Sequence, residues 1–589
     1  MKKILFWIVV LLLSVSMITV FSLAGCKEEV AEEEEAVAEE EVVVEEEAVA
    51  EEEVVEGAAA ILADAGYIDT DGDGFVEAPD GSTIELSLIV PSGWTDWMES
   101  IKVVSRSCQD AGINVVCDYP DYGAYLDQKL NGTFEMMICN DAQMSNTPWT
   151  YYDWMFQNPV ANIATIQNGN YGRYDNQEAF DLVDQLDMIP PEDVAGMKAV
   201  IGQLNEIFMR DLPMIPLWYN GAWTTFNDMV WTNWPTSAED TPNYVPVTWR
   251  GYWNMASILM LTELELKEGV EAGTGTYPRN ETLYTSGTQW GPPGSWNPFN
   301  TGGYATGTLG LCYETLFLYD PIADEYIPWL AKSGEWSGNV YELKVQEGIN
   351  WSDGTPFTAA DVKFTFELAE TAPIGISPIW NFLDSIDQVD DYTLNFNFSE
   401  ALYQQWSNYL YSTPIVPEHI WSIMSVEDVT SGINENPVGT GAYLYEASGA
   451  DRMVWVKNDN WWAIDALGLE VAPKYIVDLS NSGNNVILGL MMRGDLDLSN
   501  NFLPNIATLK ESGWYDFLST YYAEAPYNLS ANTAWLLLNL EIKPMDDVAF
   551  RKAVAAAIEV DQIVEVVFTD LVASAHPSGL LPPWTQYVE

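Results

Sequence analysis

A mixed α/β architecture spread over more than one domain is what the sequence predicts, on three observations. Strand-like and helix-like patterns alternate along the chain. The 589 residues correspond, at roughly 100–200 residues per domain, to about two to four domains. A glycine-rich stretch, Gly269–Gly275, punctuates the chain near its middle. In order, Ile84–Val90 alternates as a strand, Met98–Ala111 has helical spacing, and Ile113–Cys117 reads as a second strand. A linker at 263–276 then separates a block at about 57–262 from one at 277–589. In the second block Asp361–Glu370 and Val548–Val567 read as helices, and Thr393–Phe398 alternates as a strand.

Composition excludes several function classes. Hydrophobic residues make up 48% of the chain and aromatics 13%, a globular and not a disordered balance. Lys and Arg total 23 against 88 Asp and Glu, for a formal charge of −65. No sizeable basic patch can be assembled from that, so nucleic acid is excluded as a partner. His419 and His576 are the only histidines, too few for a His-based metal site or a Ser-His-Asp triad. With 25 Trp beside them, the balance points to binding rather than catalysis, and no cofactor is expected.

The N-terminus reads as an address. Lys2 and Lys3 precede an apolar run from Ile4 to Val20, which closes on Leu23-Ala24-Gly25-Cys26. A charged start, an apolar centre and small residues at the end predict a signal peptide over 1–26 rather than a membrane anchor. The last four residues resemble the bacterial lipobox. That resemblance implies lipidation of Cys26 and tethering outside the cytoplasmic membrane, in the periplasmic space or at the cell surface. No other stretch approaches the roughly 18 apolar residues of a spanning helix. Residues 27–56 hold 16 Glu and one Lys and read as a self-repelling, disordered spacer, with an acidic interaction arm as the alternative.

In the second block a series of short motifs follows in order. They are Trp296-Asn297-Pro298-Phe299, Tyr313-Glu314-Thr315-Leu316-Phe317, and Trp351-Ser352-Asp353-Gly354-Thr355-Pro356-Phe357-Thr358-Ala359. After them come Val416-Pro417-Glu418-His419, Asn436-Pro437-Val438-Gly439-Thr440-Gly441, Asn458-Asp459-Asn460-Trp461-Trp462, and Phe550-Arg551-Lys552-Ala553. This series resembles the N-terminal part of the family 5 extracellular solute-binding proteins, the oligopeptide, dipeptide and oligosaccharide receptors of ABC importers. In the first block, Asp69-Thr70-Asp71-Gly72-Asp73-Gly74, Ala111-Gly112-Ile113-Asn114-Val115 and Asp211-Leu212-Pro213-Met214-Ile215-Pro216-Leu217 resemble the same family's C-terminal part. The two parts therefore stand in circularly permuted order, which compact domains with adjacent exposed termini tolerate.

The resemblance implies a two-lobed periplasmic-binding-protein type II-like α/β fold with an extra domain. One lobe would combine about 530–589 with 57–215, the other about 216–330 with 436–529, and the extra domain would lie at about 331–435. It further implies a hinge, a ligand closed between the lobes, and an ABC transporter permease that reads the closed state.

Few residues suggest chemistry. Gly291-Pro292-Pro293-Gly294 lacks the Lys and helix of a phosphate loop and reads as a turn. Asp69, Asp71 and Asp73 occupy calcium-loop spacing, but Asp80 stands where such a loop carries Glu, and an Asp/Gly turn is the simpler reading. Cys108, Cys117, Cys139 and Cys312 can be disulfide partners, Cys108 with Cys117 above all, or buried thiols. Asp495 and Asp497 resemble a structural turn of the family rather than a glycosidase pair.

The aromatics discriminate better. Peptide receptors of the family commonly offer an Asp to the ligand's amino terminus, in an Asp-Tyr-Pro-Asp-Pro-like segment. Here the matching region contains Asp141, then Pro148-Trp149-Thr150-Tyr151-Tyr152-Asp153-Trp154, which looks like the oligosaccharide-binding branch. Flat aromatic faces suit pyranose rings, and Asp side chains suit hydroxyls. The candidate ligand-binding residues are Trp149, Tyr152, Asp153, Trp154, Asp141, Trp218, Trp223 and Trp296. An oligosaccharide receptor is the leading expectation. A peptide receptor, with Asp141 meeting an amine, and a non-transporting sensor or adhesin on the same fold are the alternatives. If Cys26 is the lipid site, Cys26→Ser releases the protein from the membrane fraction; unchanged fractionation of that variant would remove the anchor.

Overall fold

The computed structural model describes residues 57–588 apart from 143, 157–168, 243, 246–251, 289–293, 301, 302, 481, 482 and 504. Cys26, the signal segment, the acidic spacer and most of the Gly291–Gly294 turn lie outside the described residues. Among the described residues no helix is long and apolar enough to cross a membrane.

The first block opens with parallel strands joined by helices. Leu86–Ile89 pairs in parallel with Val115–Asp118 and with Met136–Cys139. The helix Thr95–Asp110 forms because Trp97, Ile101, Val104 and Cys108 fall on one face and bury together. It is stitched to the sheet by Ser105 and Gln109, which donate to the Val115 carbonyl at 2.6 and 2.8 Å. The helix Tyr122–Asn131 starts where the Asp121 side chain accepts the Ala124 N–H. It stops at Gly132, whose φ of 62° suits glycine. The wholly buried strand Met136–Cys139 follows.

The five-stranded sheet runs in the order Val115–Asp118, Leu86–Ile89, Met136–Cys139, Ser530–Leu538, Met214–Gly221. Its fourth member comes from the far end of the chain and pairs antiparallel on both sides, Trp535 with Cys139 and Leu536 with Ile215. Met214–Gly221 runs through the 215/216 boundary drawn from sequence and lies entirely in this sheet. The chain crosses over just after it. Thr225–Asn227 belongs to a seven-stranded sheet whose other members are second-block strands between Thr282 and Ser519. A four-stranded antiparallel sheet, Ala331–Ser337, Val340–Val345, Thr393–Phe398, Leu383–Asp390, forms the third layer.

Two large hydrophobic cores result among the described residues. The first draws on residues from Leu62 to Tyr219 and from Ile487 to Trp584; the second lies between Phe226 and Leu498. In the 263–276 stretch, Glu265–Leu266 pairs with Trp231–Thr232, and the chain beyond is largely exposed.

One element departs from the sequence expectation. Val548–Val567 is not one helix: it breaks after Ala557, with Ile558 and Glu559 extended, and resumes as Val560–Ile563 and a wider turn at Val564–Phe568. A continuous helix would spread Ile558, Ile563, Val564 and Phe568 over more than half its circumference; the break lets all four bury in the first core.

The family-like motifs converge on structural contacts. Buried Glu314 accepts indole N–H bonds from Trp329, Trp461 and Trp462 at 2.9, 3.1 and 2.8 Å. Asn297 donates to the Val429 carbonyl at 2.8 Å. Asp361 closes a capping box with Thr358 and accepts the Glu418 N–H at 3.0 Å.

Each of the two large sheets takes a strand from the other block, so neither block can complete its pairing alone. Residues 57–262 expressed without 277–589 are expected not to fold cooperatively, and co-expression of the two is expected to give a soluble complex. Two independent cooperative transitions, one per separate fragment, would overturn this.

Candidate functional site

A cavity of about 900 Å³ lies where the two cores meet. One wall comes from the first block, from Asp141 and Ala142 after the strand Met136–Cys139 and from the helices Trp149–Phe156 and Gln177–Asp187. The facing wall comes from the second block: Pro298–Asn300, Tyr304, Leu309, the stretch around Gly375–Phe382, and the helix Tyr403–Ser412.

The helix Trp149–Phe156 presents Trp149, Thr150, Asp153, Trp154 and Phe156 to the cavity. At 100° per residue these positions share one arc, while Tyr151, Tyr152 and Met155 occupy the opposite arc and bury. Asp141, Trp149, Asp153 and Trp154 are therefore brought together. The other four candidates do not line the cavity, because packing claims them. Tyr152 is buried, its ring stacked 6.1 Å from Phe156. Trp218 is fully buried, 5.0 Å from the Phe568 ring. Trp223 packs between Phe502 and Phe568 at 5.2 and 6.1 Å. Trp296 packs on Tyr445 at 4.6 Å, and its indole N–H reaches the Met453 sulfur at 3.3 Å.

Sequence reasoning missed Asp184, Asp187, Phe299, Asn300 and Tyr409, which all line the cavity. A signal existed for the first two. Phe180, Val183, Asp184 and Asp187 follow the i, i+3, i+4, i+7 pattern of a buried stripe, and two of the four are carboxylates. Tyr409 had none: it approaches from a helix of the other block.

The acidic groups of the cavity differ in their surroundings. Asp141 is ion-paired with Lys129 at 2.5 Å. Lys129 is nearly buried and lies 4.8 Å from the centre of the Tyr171 ring. Burial alone would lower the Lys129 pKa, but neighbouring acidic groups, Cys139 and Asp141 foremost, push it up to about 12. Asp153, Asp184 and Asp187 form no ion pair with Lys, Arg or His among the described residues. Burial, with Asp184 nearby, pushes the Asp153 carboxyl up to about 7. Burial pushes Asp187 up to about 8, reinforced by Asp153 and Asp184 and opposed by the Gln405 N–H, which donates to it at 2.8 Å. Asp184 is raised by burial, then by Asp181 and Glu400.

Asp497 is buried and gripped by the Arg279 guanidinium at 2.5 and 2.9 Å, while Asp495 is exposed on Arg493. The carboxylates of Asp69, Asp71, Asp73 and Glu77 lie within 4.8 Å of one another. The three Asp already accept N–H bonds from Gly72, Asp73, Gly74 and Phe75, and Glu77 is held by Thr70, the work of an Asp/Gly turn. Cys108, Cys117, Cys139 and Cys312 are free thiols, and burial pushes Cys108 up to about 12.

The family model for bacterial extracellular solute-binding proteins, family 5 Middle, matches residues 36–162 and 325–589. The dipeptide-binding protein of Escherichia coli K12 is 24% identical over 326 residues, 50% of this chain and 57% of that protein. The periplasmic alpha-galactoside-binding protein of Rhizobium meliloti is 25% identical over 330 residues, 49% of this chain and 48% of the other. The chain spans about a third to a little over half of the length of the curated relatives it matches. A Thermotoga maritima periplasmic oligopeptide-binding protein, solved with mannohexaose bound, is 47% identical with a TM-score of 0.50, over 52% of this chain and 57% of that one.

The raised Asp carboxyls set a sign for pH dependence. Their folded pKa values exceed the ordinary value of about 3.9, so ionisation opposes folding, and the contribution to stability falls as pH climbs from about 4 through the folded values. Asp187→Asn is expected to gain stability over the parent protein as pH rises toward 8, read from urea unfolding midpoints across that range. An unchanging difference between the two would contradict this.

Proposed function

The chain belongs to the bacterial extracellular solute-binding proteins of family 5, and on that premise we propose that it captures oligosaccharides between its two lobes and delivers them to an ABC importer, held at the membrane by lipidated Cys26. The observation that carries the ligand class is the Lys129–Asp141 pair. Asp141 is the carboxylate a peptide amine would seek, and it already has a cation 2.5 Å away. A desolvated ammonium arriving there would have to displace or share that partner.

What remains is a cavity walled by Trp149, Trp154, Phe299 and Tyr304, with Asn300, Gln405 and Asn408 among its polar groups. That mixture of flat apolar faces and placed hydrogen-bonding groups suits sugar rings. The mannohexaose bound to the Thermotoga maritima relative supports the same class. The dipeptide-binding relative favours the peptide reading, and the internal Lys129 cation weighs against it. A ligand that also reaches Pro298–Asn300 and Tyr304, in the part assigned to the second lobe, would stabilise the closed arrangement, the state a permease would read. The family model's two separate matches, and alignments that stop near half of each chain, support the permuted order of the two parts.

Titration calorimetry with cello-, manno- and xylo-oligosaccharides tests this reading. Trp149→Ala or Trp154→Ala is expected to weaken binding by roughly 1–3 kcal/mol, as for buried aromatic anchors elsewhere. Asp141→Asn is expected to matter less. Loss of all binding in Asp141→Asn, with both Trp variants binding normally, would defeat the sugar reading in favour of peptide.

A further inference from the structure

One end of the cavity is built from three helices, Trp149–Phe156, Gln177–Asp187 and Tyr403–Ser412, which pack on one another. They bring Asp153, Asp184, Asp187 and Tyr409 to its surface. The groups feel one another: Asp184 acts on Asp153, Asp153 and Asp184 act on Asp187, and Asp153 and Asp187 act on Tyr409. Tyr409 is 8% exposed, and among the described residues its hydroxyl has no hydrogen-bond partner. The Tyr409 side chain lines the cavity. Here, then, among the described residues, are an unpartnered, nearly buried hydroxyl and three carboxylates without a counter-cation, Asp187 buried, Asp153 half-buried and Asp184 at the exposed rim, in the same cavity where Asp141 has Lys129.

Burying a carboxylate without a partner costs several kcal/mol, and a cation placed beside it recovers much of that. With Lys and Arg at 23 against 88 acids, the chain has few cations of its own to spend here. The three carboxylates are not a compact metal set; among the described residues that arrangement occurs at Asp69, Asp71, Asp73 and Glu77. A more spread site fits an organic cation, whose separate N–H donors reach separate acceptors.

We propose that this helix junction is a subsite for an ammonium group carried by the bound sugar, so that the favoured ligand is an oligosaccharide of amino sugars with free amines. The proposal rests on the oligosaccharide reading of the same cavity. The aromatic faces of Trp149 and Trp154 take the rings, while Asp153, Asp184 and Asp187 take the charge, with the Tyr409 hydroxyl as a further acceptor. Because the free carboxyls hold protons more tightly than ordinary ones, an arriving ammonium displaces protons, which a neutral sugar does not.

Calorimetry on the whole protein at mildly acidic pH tests this, with the β-1,4-linked glucosamine trimer, its N-acetylated counterpart and cellotriose as probes. The free-amine trimer is expected to bind at least about tenfold more tightly than either neutral trimer. Its binding heat is expected to vary with the buffer's ionisation enthalpy in the sense of proton release. Asp153→Asn and Asp187→Asn are each expected to erase the preference, bringing the free-amine trimer to the affinity of the neutral ones. Equal affinity for charged and neutral trimers, or a preference that survives in both variants, would overturn the subsite and leave the sugar receptor standing. Failure of every trimer to bind would sink the oligosaccharide reading and this subsite with it.

Discussion

The antiparallel seating of Ser530–Leu538 between Met136–Cys139 and Met214–Gly221 is the constraint on which the rest of the molecule depends. Without that strand the five-stranded sheet falls into a three-stranded parallel piece and an isolated strand, each with an open edge. Eight of its nine residues are buried, so it serves the first core as much as the sheet. The return of Thr225–Asn227 to the seven-stranded sheet does the same in reverse. Pairing of this kind depends on which strands are neighbours in space, and connection order enters only through loop closure. Two chain segments in permuted order can therefore build one fold.

Most of the motifs that make the family recognisable hold this frame, while Pro298 and Phe299 of one of them also line the cavity. Glu314 is a buried carboxylate whose pKa burial raises, while three indole N–H groups oppose the rise. Truncating any one indole leaves part of that carboxylate unsatisfied in a dry site, a loss of about 1–3 kcal/mol. Gly439 and Gly441 pass so close to the backbone carbonyls of Cys312 and Leu311 that a side chain at either position would collide with them. Such words recur because backbone approach and buried hydrogen bonding admit few substitutes, and they say little about what is bound.

On the proposed reading, ligand chemistry is decided in a small part of the interface between the cores. There, among the described residues, one carboxylate is ion-paired with a cation and three are not, the contrast the proposal turns on. Asp141 with Lys129 is electrically closed; Asp153, Asp184 and Asp187 are open. The low polarity of the surroundings magnifies that difference: burial raises the carboxyls of Asp153, Asp184 and Asp187 alike.

By itself the sequence determined the α/β class, the family, and the local elements with strong periodicity, such as Thr393–Phe398 and the helix around Ile101 and Val104. Periodicity and motif spacing are local properties, written within a few turns of chain. Of the eight candidates the sequence named from the aromatic segment and the family resemblance, Asp141, Trp149, Asp153 and Trp154 line the cavity. Only the tertiary structure decided that Tyr152, Trp218, Trp223 and Trp296 pack elsewhere, that the Val548–Val567 helix breaks to bury four apolar side chains, and that Tyr409 joins Asp187 across the two blocks. Those outcomes turn on which face of an element meets which distant neighbour, and on whether a buried charge finds a partner there. Both are set by packing between segments far apart in the chain, where hydrophobic pattern alone is silent.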